Sequence, residues 1–125
     1  MRLLLDTHIL LWVMQGAPAL SREARRLITA ADEVFVSSVS LWEISIKTAI
    51  AKLKVDLDRL DMCLREQAFS ALPVTWAHAS SLRALPPIHG DPFDRMLIAQ
   101  AVSGSLQLLT HDALLARYSP LVTVV

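Results

Sequence analysis

The sequence predicts an α/β domain with a mostly parallel central sheet of four to five strands and helices on both faces. Two observations support this prediction: short apolar runs alternate with helix-like segments, and several of these runs are continuously apolar. Parallel strands need crossover helices and are buried on both faces, so both features are typical of such a sheet. At 125 residues, the chain fits one domain.

Boundary residues divide the first half of the chain into strands and helices. Gly16 and Pro18 end the first helix, and Ser21 is the expected N-cap of the second. The predicted segments are a strand at 2–6, a helix at 9–15, a helix ending near 31, a strand at 33–37 and a helix from Ser40 to 52.

The second half continues the same alternation. Asp91 is the expected N-cap of a helix that has Pro92 at its first position and ends at Gly104. The other predicted segments are a helix capped by Asp56 or Asp58 and ending near 67, a strand at 71–74, a helix at 75–85, a strand at 107–110, a short helix at 113–118 and a strand at 121–125.

The composition excludes several classes of protein. Hydrophobic residues make up 54% of the chain, which is too apolar for a disordered segment. The apolar run at 9–14 is far shorter than the roughly 20 residues of a membrane span, so we expect no membrane association. Cys63 has no second cysteine to pair with, which favours a reducing cytoplasm.

The net charge is formally zero, with twelve basic and twelve acidic residues. If five of the acids gather in one metal-binding pocket, seven remain against twelve basic residues. Metal ions would neutralise the pocket, and the remaining surface would be able to attract phosphates. The composition is therefore compatible with a nucleic-acid partner.

Two acids follow predicted strands directly. Asp6 ends the first strand and Asp112 follows the strand at 107–110. Ligands of open α/β sheets bind outside the carboxyl ends of the strands, so both side chains are candidate site residues. Each is equally a candidate N-cap for the helix that follows it.

Asp94 is the acid that helical spacing singles out. Asp94, Ile98 and Ala101 lie at i, i+4 and i+7, which places the carboxylate on the stripe that faces the core. Burying an unpaired carboxylate costs several kcal/mol, whereas a bound cation would turn it into a ligand. Asp91 is predicted to be the N-cap, with a ligand role as the alternative.

Glu43 has a structural and a functional interpretation. Ser40 and Glu43 form the pattern of a capping box, and Lys47 lies four residues further on, the spacing of a helical ion pair. Neighbouring apolar residues nevertheless surround Glu43 on most of the helix, so its carboxylate needs a partner. We therefore include it among the candidate site residues.

The four candidate acids come from four segments and would repel each other unless a cation lay between them. Ligands that are all oxygen favour Mg²⁺ or Mn²⁺ over zinc, and the chemistry this implies is metal-assisted phosphodiester hydrolysis. The predicted catalytic and metal-binding residues are Asp6, Glu43, Asp94 and Asp112.

Supporting residues adjoin these acids. Thr7 and Thr110 can each bond a carboxylate, and Lys47 and Arg95 can bind phosphate or pair with the acids. The four histidines lack the spacing of a zinc site, so we expect them to be solvated or hydrogen-bonded.

The sequence resembles a PIN domain, and more narrowly the VapC-type toxin of bacterial toxin–antitoxin pairs. The motifs that carry the resemblance are LLDTH at 4–8, SLWEISIK at 40–47, HGDPFDRMLIAQA at 89–101 and LTHD at 109–112. It implies a single PIN-like domain and an Mg²⁺- or Mn²⁺-dependent endoribonuclease whose acidic quartet is Asp6, Glu43, Asp94 and Asp112. It also implies a cytoplasmic homodimer that cleaves RNA and is inhibited by a small antitoxin. Gly90 departs from the pattern, since a basic residue is common there.

Two other classes of protein fit parts of the pattern. A receiver-type signalling domain has a similar length and an acidic pocket, but it would need a lysine near the last strands, and the final lysine is Lys54. A catalytically silent PIN-like protein-binding module would keep the fold for protein contacts. The intact acidic quartet argues against that module.

Overall fold

Five short strands form one sheet in the computed structural model, which describes residues 1–125. The strands are β1 (Arg2–Leu5), β2 (Glu33–Ser37), β3 (Ser70–Leu72), β4 (Gln107–Thr110) and β5 (Val122–Val124). Their order is β3-β2-β1-β4-β5, and every neighbouring pair is parallel. The predicted α/β class and parallel sheet are confirmed.

Six α-helices connect and cover these strands. They are α1 (Thr7–Gln15), α2 (Arg22–Ala30), α3 (Ser38–Ala49), α4 (Leu57–Glu66), α5 (Trp76–Ser81) and α6 (Pro92–Gly104), with 3₁₀ helices at Leu82–Ala84 and Ala113–Arg117. None of the helices has both the length and the apolar character that crossing a membrane requires.

The core lies on both faces of the sheet because side chains alternate along β1. Leu3 and Leu5 belong to one buried cluster, and Leu4 belongs to the other. The first cluster is completed by apolar residues of α1, α2, α3 and α4, and the second by Leu97 and Ile98 of α6. The central strands β1 and β4 are buried on both faces, which explains why they read as continuous apolar runs.

Several boundaries follow the predicted signals. Gly16 ends α1 in the left-handed conformation with φ of 59°, which glycine adopts without the steric cost of a Cβ. Ser21 caps α2, and Asp56, rather than Asp58, caps α4. Asp91 caps α6 by accepting from the backbone N–H groups of Phe93 and Asp94.

The predicted capping box of Ser40 and Glu43 is wrong. Helix α3 begins at Ser38, directly after β2, and its N-cap is Ser37, whose hydroxyl accepts from Val39 N. Ser40 is therefore inside the first turn, where its buried hydroxyl accepts a hydrogen bond from Thr7 Oγ1 at 3.0 Å. The helix predicted at 75–85 divides into α5 and the 3₁₀ helix at Leu82–Ala84, and the short helix predicted at 113–118 is the 3₁₀ helix at Ala113–Arg117.

The strand order creates a crevice at the carboxyl edge of the sheet. The chain runs from β1 towards β2 and β3 on one side, and β4 and β5 lie on the other. Such a reversal of strand order is where open α/β sheets bind ligands. Asp6 directly follows β1 and Asp112 is the second residue after β4, so both emerge at this crevice.

A buried polar contact fixes α3 and α6 beside the crevice. The Ser37 hydroxyl donates to Gln100 Oε1 at 2.6 Å, and both side chains are fully buried. The Gln100 amide also donates to the carbonyl of Pro73 at 3.4 Å. These bonds join the end of β2 to the helix that carries Asp94.

Candidate metal centre

Asp6 is buried at the end of β1, with each carboxylate oxygen hydrogen-bonded. Oδ1 accepts from Ile9 N at 2.9 Å and so caps α1, while Oδ2 accepts from the hydroxyl of Thr110. Burial raises the pKa of this carboxyl, and the two hydrogen bonds oppose that shift by stabilising the ionised form. The predicted cap is confirmed, and it leaves Asp6 at the crevice.

Thr110 also contacts the second strand-end acid. Its hydroxyl accepts from Asp112 N at 3.1 Å. Asp112 Oδ1 caps the following 3₁₀ helix by accepting from Leu114 N, while Oδ2 lies 3.3 Å from His89 Nε2. One oxygen of Asp112 therefore serves the local structure, and the other faces the crevice.

Asp94 has a strongly perturbed carboxyl. Burial, followed by repulsion from Asp91, Asp6 and Glu43, raises its pKa to about 7. A carboxyl in this environment accepts a proton unless a cation compensates its charge. Ile98 and Ala101, on the same helical stripe, are fully or almost fully buried, in agreement with the helical phase predicted from the sequence.

Glu43 is 3% exposed and only half satisfied. Oε2 accepts from Lys47 Nζ at 2.5 Å, the ion pair that the spacing predicted, while Oε1 is buried without a hydrogen-bond partner. This ion pair raises the pKa of Lys47, mainly through the hydrogen bond to Glu43. Buried carboxylate oxygens rarely lack a hydrogen-bond partner. Oε1 is therefore an oxygen that a bound cation could take as a ligand.

Three of these acids, Asp6, Asp94 and Asp112, line one pocket of about 230 Å³. It is lined by Asp6, His8, Trp12, Asp94, His111 and Asp112. Glu43 and Asp91 do not line it, but they lie close enough to raise the pKa of Asp94 through charge repulsion. The structure thus brings the four predicted catalytic acids to the same edge of the sheet.

The supporting residues divide into two groups. Thr110 bonds both Asp6 and Asp112, and Lys47 bonds Glu43, as described above. Thr7 instead donates to the Ser40 hydroxyl. Arg95 forms no ion pair with an acid, because its guanidinium donates to the Pro86 carbonyl at 2.9 Å and to the Tyr118 hydroxyl at 3.2 Å.

The pocket also contains aromatic residues that were not predicted. Trp12 packs edge-on against His111, with ring centroids 5.2 Å apart, and the His8 ring lies 6.4 Å from that of Trp12. His8 and His111 directly follow the predicted Thr7 and Thr110, which is the only local signal for them. His89 joins the cluster through Asp94 and Asp112, each 3.3 Å away.

The donor atoms fit a divalent cation. Glu43 Oε1 lacks a partner, the ionised Asp94 carboxyl is destabilised by burial and by its acidic neighbours, and Asp94 and Asp112 each have an oxygen 3.3 Å from the same nitrogen of His89. The first two features are relieved by a cation, and carboxylate oxygens are the ligands that Mg²⁺ and Mn²⁺ prefer.

A parallel sheet in this order, with acids at the carboxyl ends of β1 and β4 and on α3 and α6, defines an α/β protein with a candidate metal centre. The protein-family model of the PIN domain matches residues 3–120. The chain therefore belongs to the PIN domain family. This finding excludes the receiver-type alternative.

Relatives of this chain include a curated protein and solved structures. Ribonuclease VapC22 of Mycobacterium tuberculosis (strain ATCC 25618 / H37Rv) is 28% identical over 111 residues, covering 87% of this chain and 85% of that protein. The crystal structure of VapBC2 from Rickettsia felis, bound to a DNA fragment from their promoter, matches with a TM-score of 0.74 and 15% identity, over 100% of this chain and 98% of that one.

A toxin–antitoxin complex from Klebsiella pneumoniae matches with a TM-score of 0.68 and 20% identity, covering 97% of this chain and 95% of that one. At such identities the structural likeness establishes the fold. The resemblance to PIN domains stated from the sequence motifs is confirmed at the level of the family.

Proposed function

We propose that this chain is an Mg²⁺- or Mn²⁺-dependent endoribonuclease and the toxin of a toxin–antitoxin pair. The observation that carries the proposal is the convergence of Asp6, Glu43, Asp94 and Asp112 at the switch point of the sheet. The curated relative named as a ribonuclease supports the choice of substrate.

The proposed ligands are unequal in their readiness to bind a cation. Asp6 is held in place by the Thr110 hydroxyl and Ile9 N, and Glu43 presents a free oxygen. Asp94, whose pKa is raised to about 7, would release its proton on holding a cation near neutral pH. Asp112 contributes the oxygen that does not cap the 3₁₀ helix.

When bound, a divalent cation would lower the pKa of a coordinated water and stabilise charge on the phosphate. The protein's own part is to hold these acids in a half-buried pocket and to keep Lys47 at its rim. Without a cation the negative charge of these acids would disfavour binding of a phosphodiester.

The protein partners are proposed on separate grounds. A small antitoxin is supported by the toxin–antitoxin complexes among the solved structures that share the fold. The homodimer is supported by exposed apolar side chains, Trp42 and Val74, which line a groove of about 460 Å³ that self-association would cover. Cleavage of cellular RNA places the proposed action in the cytoplasm. Light scattering of the purified chain tests the dimer, and a monomer across the micromolar range would contradict it.

A cleavage assay tests the enzymatic proposal. Purified protein is incubated with end-labelled single-stranded RNA in Mg²⁺, in Mn²⁺ and with a chelator, beside the variants Asp6→Asn, Glu43→Gln, Asp94→Asn and Asp112→Asn. We expect cleavage that needs the metal and falls at least about 100-fold in each variant. The exposed Asp61→Asn on α4 is the matched control and should cleave normally. Cleavage that persists in the chelator or in Asp94→Asn would contradict the proposal.

A further inference from the structure

His89 lies between two of the proposed metal ligands. Its Nε2 is 3.3 Å from Asp94 Oδ2 and 3.3 Å from Asp112 Oδ2. One possible ligand atom from each of these three side chains lies within 4.8 Å of the other two, so together they could hold a metal ion. An imidazole in this position has two possible roles. It can bind the metal through a lone pair on Nε2, or it can donate an Nε2–H hydrogen bond to the carboxylates.

The other ring nitrogen decides between these roles. Nδ1 of His89 accepts a hydrogen bond from the backbone N–H of Asp91 at 3.1 Å. A nitrogen that accepts from an N–H group carries no proton, so the proton of the neutral ring is on Nε2. Nε2 therefore has no lone pair to offer a metal and presents an N–H group to Asp94 and Asp112.

We infer that His89 donates a hydrogen bond from Nε2 to Asp112 Oδ2, keeps the same N–H group beside Asp94 Oδ2, and so positions these carboxylates without ligating the metal. The inference rests on the proposed metal centre for its consequence, because carboxylates that bind a metal are oriented by hydrogen bonds of this kind. Ligation by Nε2 would require moving the proton to Nδ1, which would then face the N–H of Asp91.

A hydrogen-bonded clasp holds the loop that carries His89. The Tyr118 hydroxyl accepts from His89 N at 2.7 Å and donates to His89 O at 3.3 Å. It also accepts from Arg95, whose guanidinium bonds the Leu85 and Pro86 carbonyls of the same loop. One donor and two acceptors exhaust what a tyrosine hydroxyl offers, so the backbone of His89 is fixed from the far side of the loop.

The clasp gives Tyr118 and Arg95 a shared role. Neither side chain is hydrogen-bonded or ion-paired to a proposed metal ligand, yet both determine where the imidazole lies. They are positioning residues, and their removal should weaken metal binding through His89 while leaving the four acids in place.

Two spectroscopic measurements test the inference. In metal-free protein labelled with ¹⁵N-histidine, two-bond ¹⁵N–¹H correlations at about pH 8.5, above the ordinary pKa of histidine, identify the protonated nitrogen. We expect the proton of His89 on Nε2. In the Mn²⁺-loaded protein, electron spin echo spectroscopy should detect no directly coordinated histidine nitrogen. A proton on Nδ1, or a nitrogen coupling that disappears in His89→Ala, would overturn the inference.

Mn²⁺ affinities of three variants test the positioning role. His89→Gln keeps an N–H donor at a similar reach and should retain affinity within about threefold, whereas His89→Ala should lose about 10-fold or more. Tyr118→Phe keeps the ring but not the clasp, so it should also lose affinity while its circular dichroism spectrum stays unchanged. Wild-type affinity in His89→Ala, or equal losses in Gln and Ala, would contradict the role. Failure of the wild type to bind Mn²⁺ would instead contradict the proposed function, and the tautomer would still be decided by the metal-free spectrum.

Discussion

The hydroxyl of Thr110 donates a hydrogen bond to Oδ2 of Asp6 and so joins the carboxyl ends of β4 and β1. The two strands are neighbours in the sheet, but 104 positions separate the two residues in the chain. The bond stabilises the ionised form of a carboxyl whose burial raises its pKa. Thr110 therefore helps to orient Asp6 and favours its ionised form against the effect of burial.

Thr110→Val should raise the pKa of Asp6 further, because it removes a bond that lowers this pKa and keeps the shape of the side chain. The pH at which Asp6 ionises then moves upward. We expect the acidic limb of the pH–rate profile to shift to higher pH and kcat/KM to fall about 10- to 100-fold. Thr110→Ser, which keeps the hydroxyl, is the control. An unshifted profile in Thr110→Val would refute this account of the residue.

Asp94→Asn should stabilise the metal-free protein above neutral pH. The folded-state pKa of about 7 exceeds the ordinary value of 3.8, so between these values the folded state binds more protons than the unfolded state. Stability therefore falls as pH rises from about 4 to about 7, where Asp94 becomes an uncompensated charge.

Urea unfolding in a chelator at about pH 5 and about pH 8 measures this effect. The wild type should lose stability across the interval more steeply than Asp94→Asn, and at the higher pH the variant should be more stable by about 1–3 kcal/mol. Asp61→Asn, which changes an exposed acid, should follow the wild type. If the free energy of unfolding depends on pH in the same way in wild type and Asp94→Asn, ionising Asp94 does not destabilise the folded protein, and the prediction is wrong.

Lys47→Met should destabilise the metal-free protein because it leaves both oxygens of the buried Glu43 carboxylate without a hydrogen-bond partner. Lys47 is 37% exposed, so solvent screening reduces the cost below that of a fully buried pair, to about 1–3 kcal/mol. The double variant Glu43→Gln with Lys47→Met should regain most of this loss. Mn²⁺ should raise the melting temperature of Lys47→Met more than that of the wild type. Equal increases would contradict a metal contact at Glu43.

Gln100→Leu should destabilise the domain by about 1–3 kcal/mol, because the buried hydroxyl of Ser37 and the Pro73 carbonyl lose their partner. Chemical denaturation measures the loss. Ser37→Ala also removes the N-cap of α3, so a double-mutant cycle is needed to isolate the bond, and the two single losses should sum to more than the loss in the double variant. Strictly additive losses would contradict the contact between Ser37 and Gln100.

The sequence predicts best those site residues whose position depends on a single helix or strand. Asp94 was identified by the spacing of Ile98 and Ala101 along one helix, and Asp6 by the apolar strand before it. The predicted start of α3 at Ser40 is wrong because Ser37, Ser38 and Ser40 are all acceptable N-caps within four positions. Only the direct passage from β2 into the helix selects Ser37.

His89 could not be assigned from the sequence because its role depends on distant parts of the chain. Asp112 lies 23 positions away and Tyr118 lies 29 positions away in the chain, and both contact His89 only in the folded structure. The sequence likewise does not predict that Glu43 Oε1 lacks a hydrogen-bond partner, because the spacing to Lys47 already supplies an ion pair for this carboxylate. Both features depend on tertiary packing.

The central claim is that Asp6, Glu43, Asp94 and Asp112 form one metal centre, and a crystal structure of the protein soaked in Mn²⁺ tests it most directly. Anomalous scattering identifies manganese independently of the refined coordinates. The account predicts anomalous density within the acidic pocket, bound by carboxylate oxygens of these residues and not by His89 Nε2. Manganese found only elsewhere, or its undiminished presence in the pocket of Asp94→Asn, would contradict the claim.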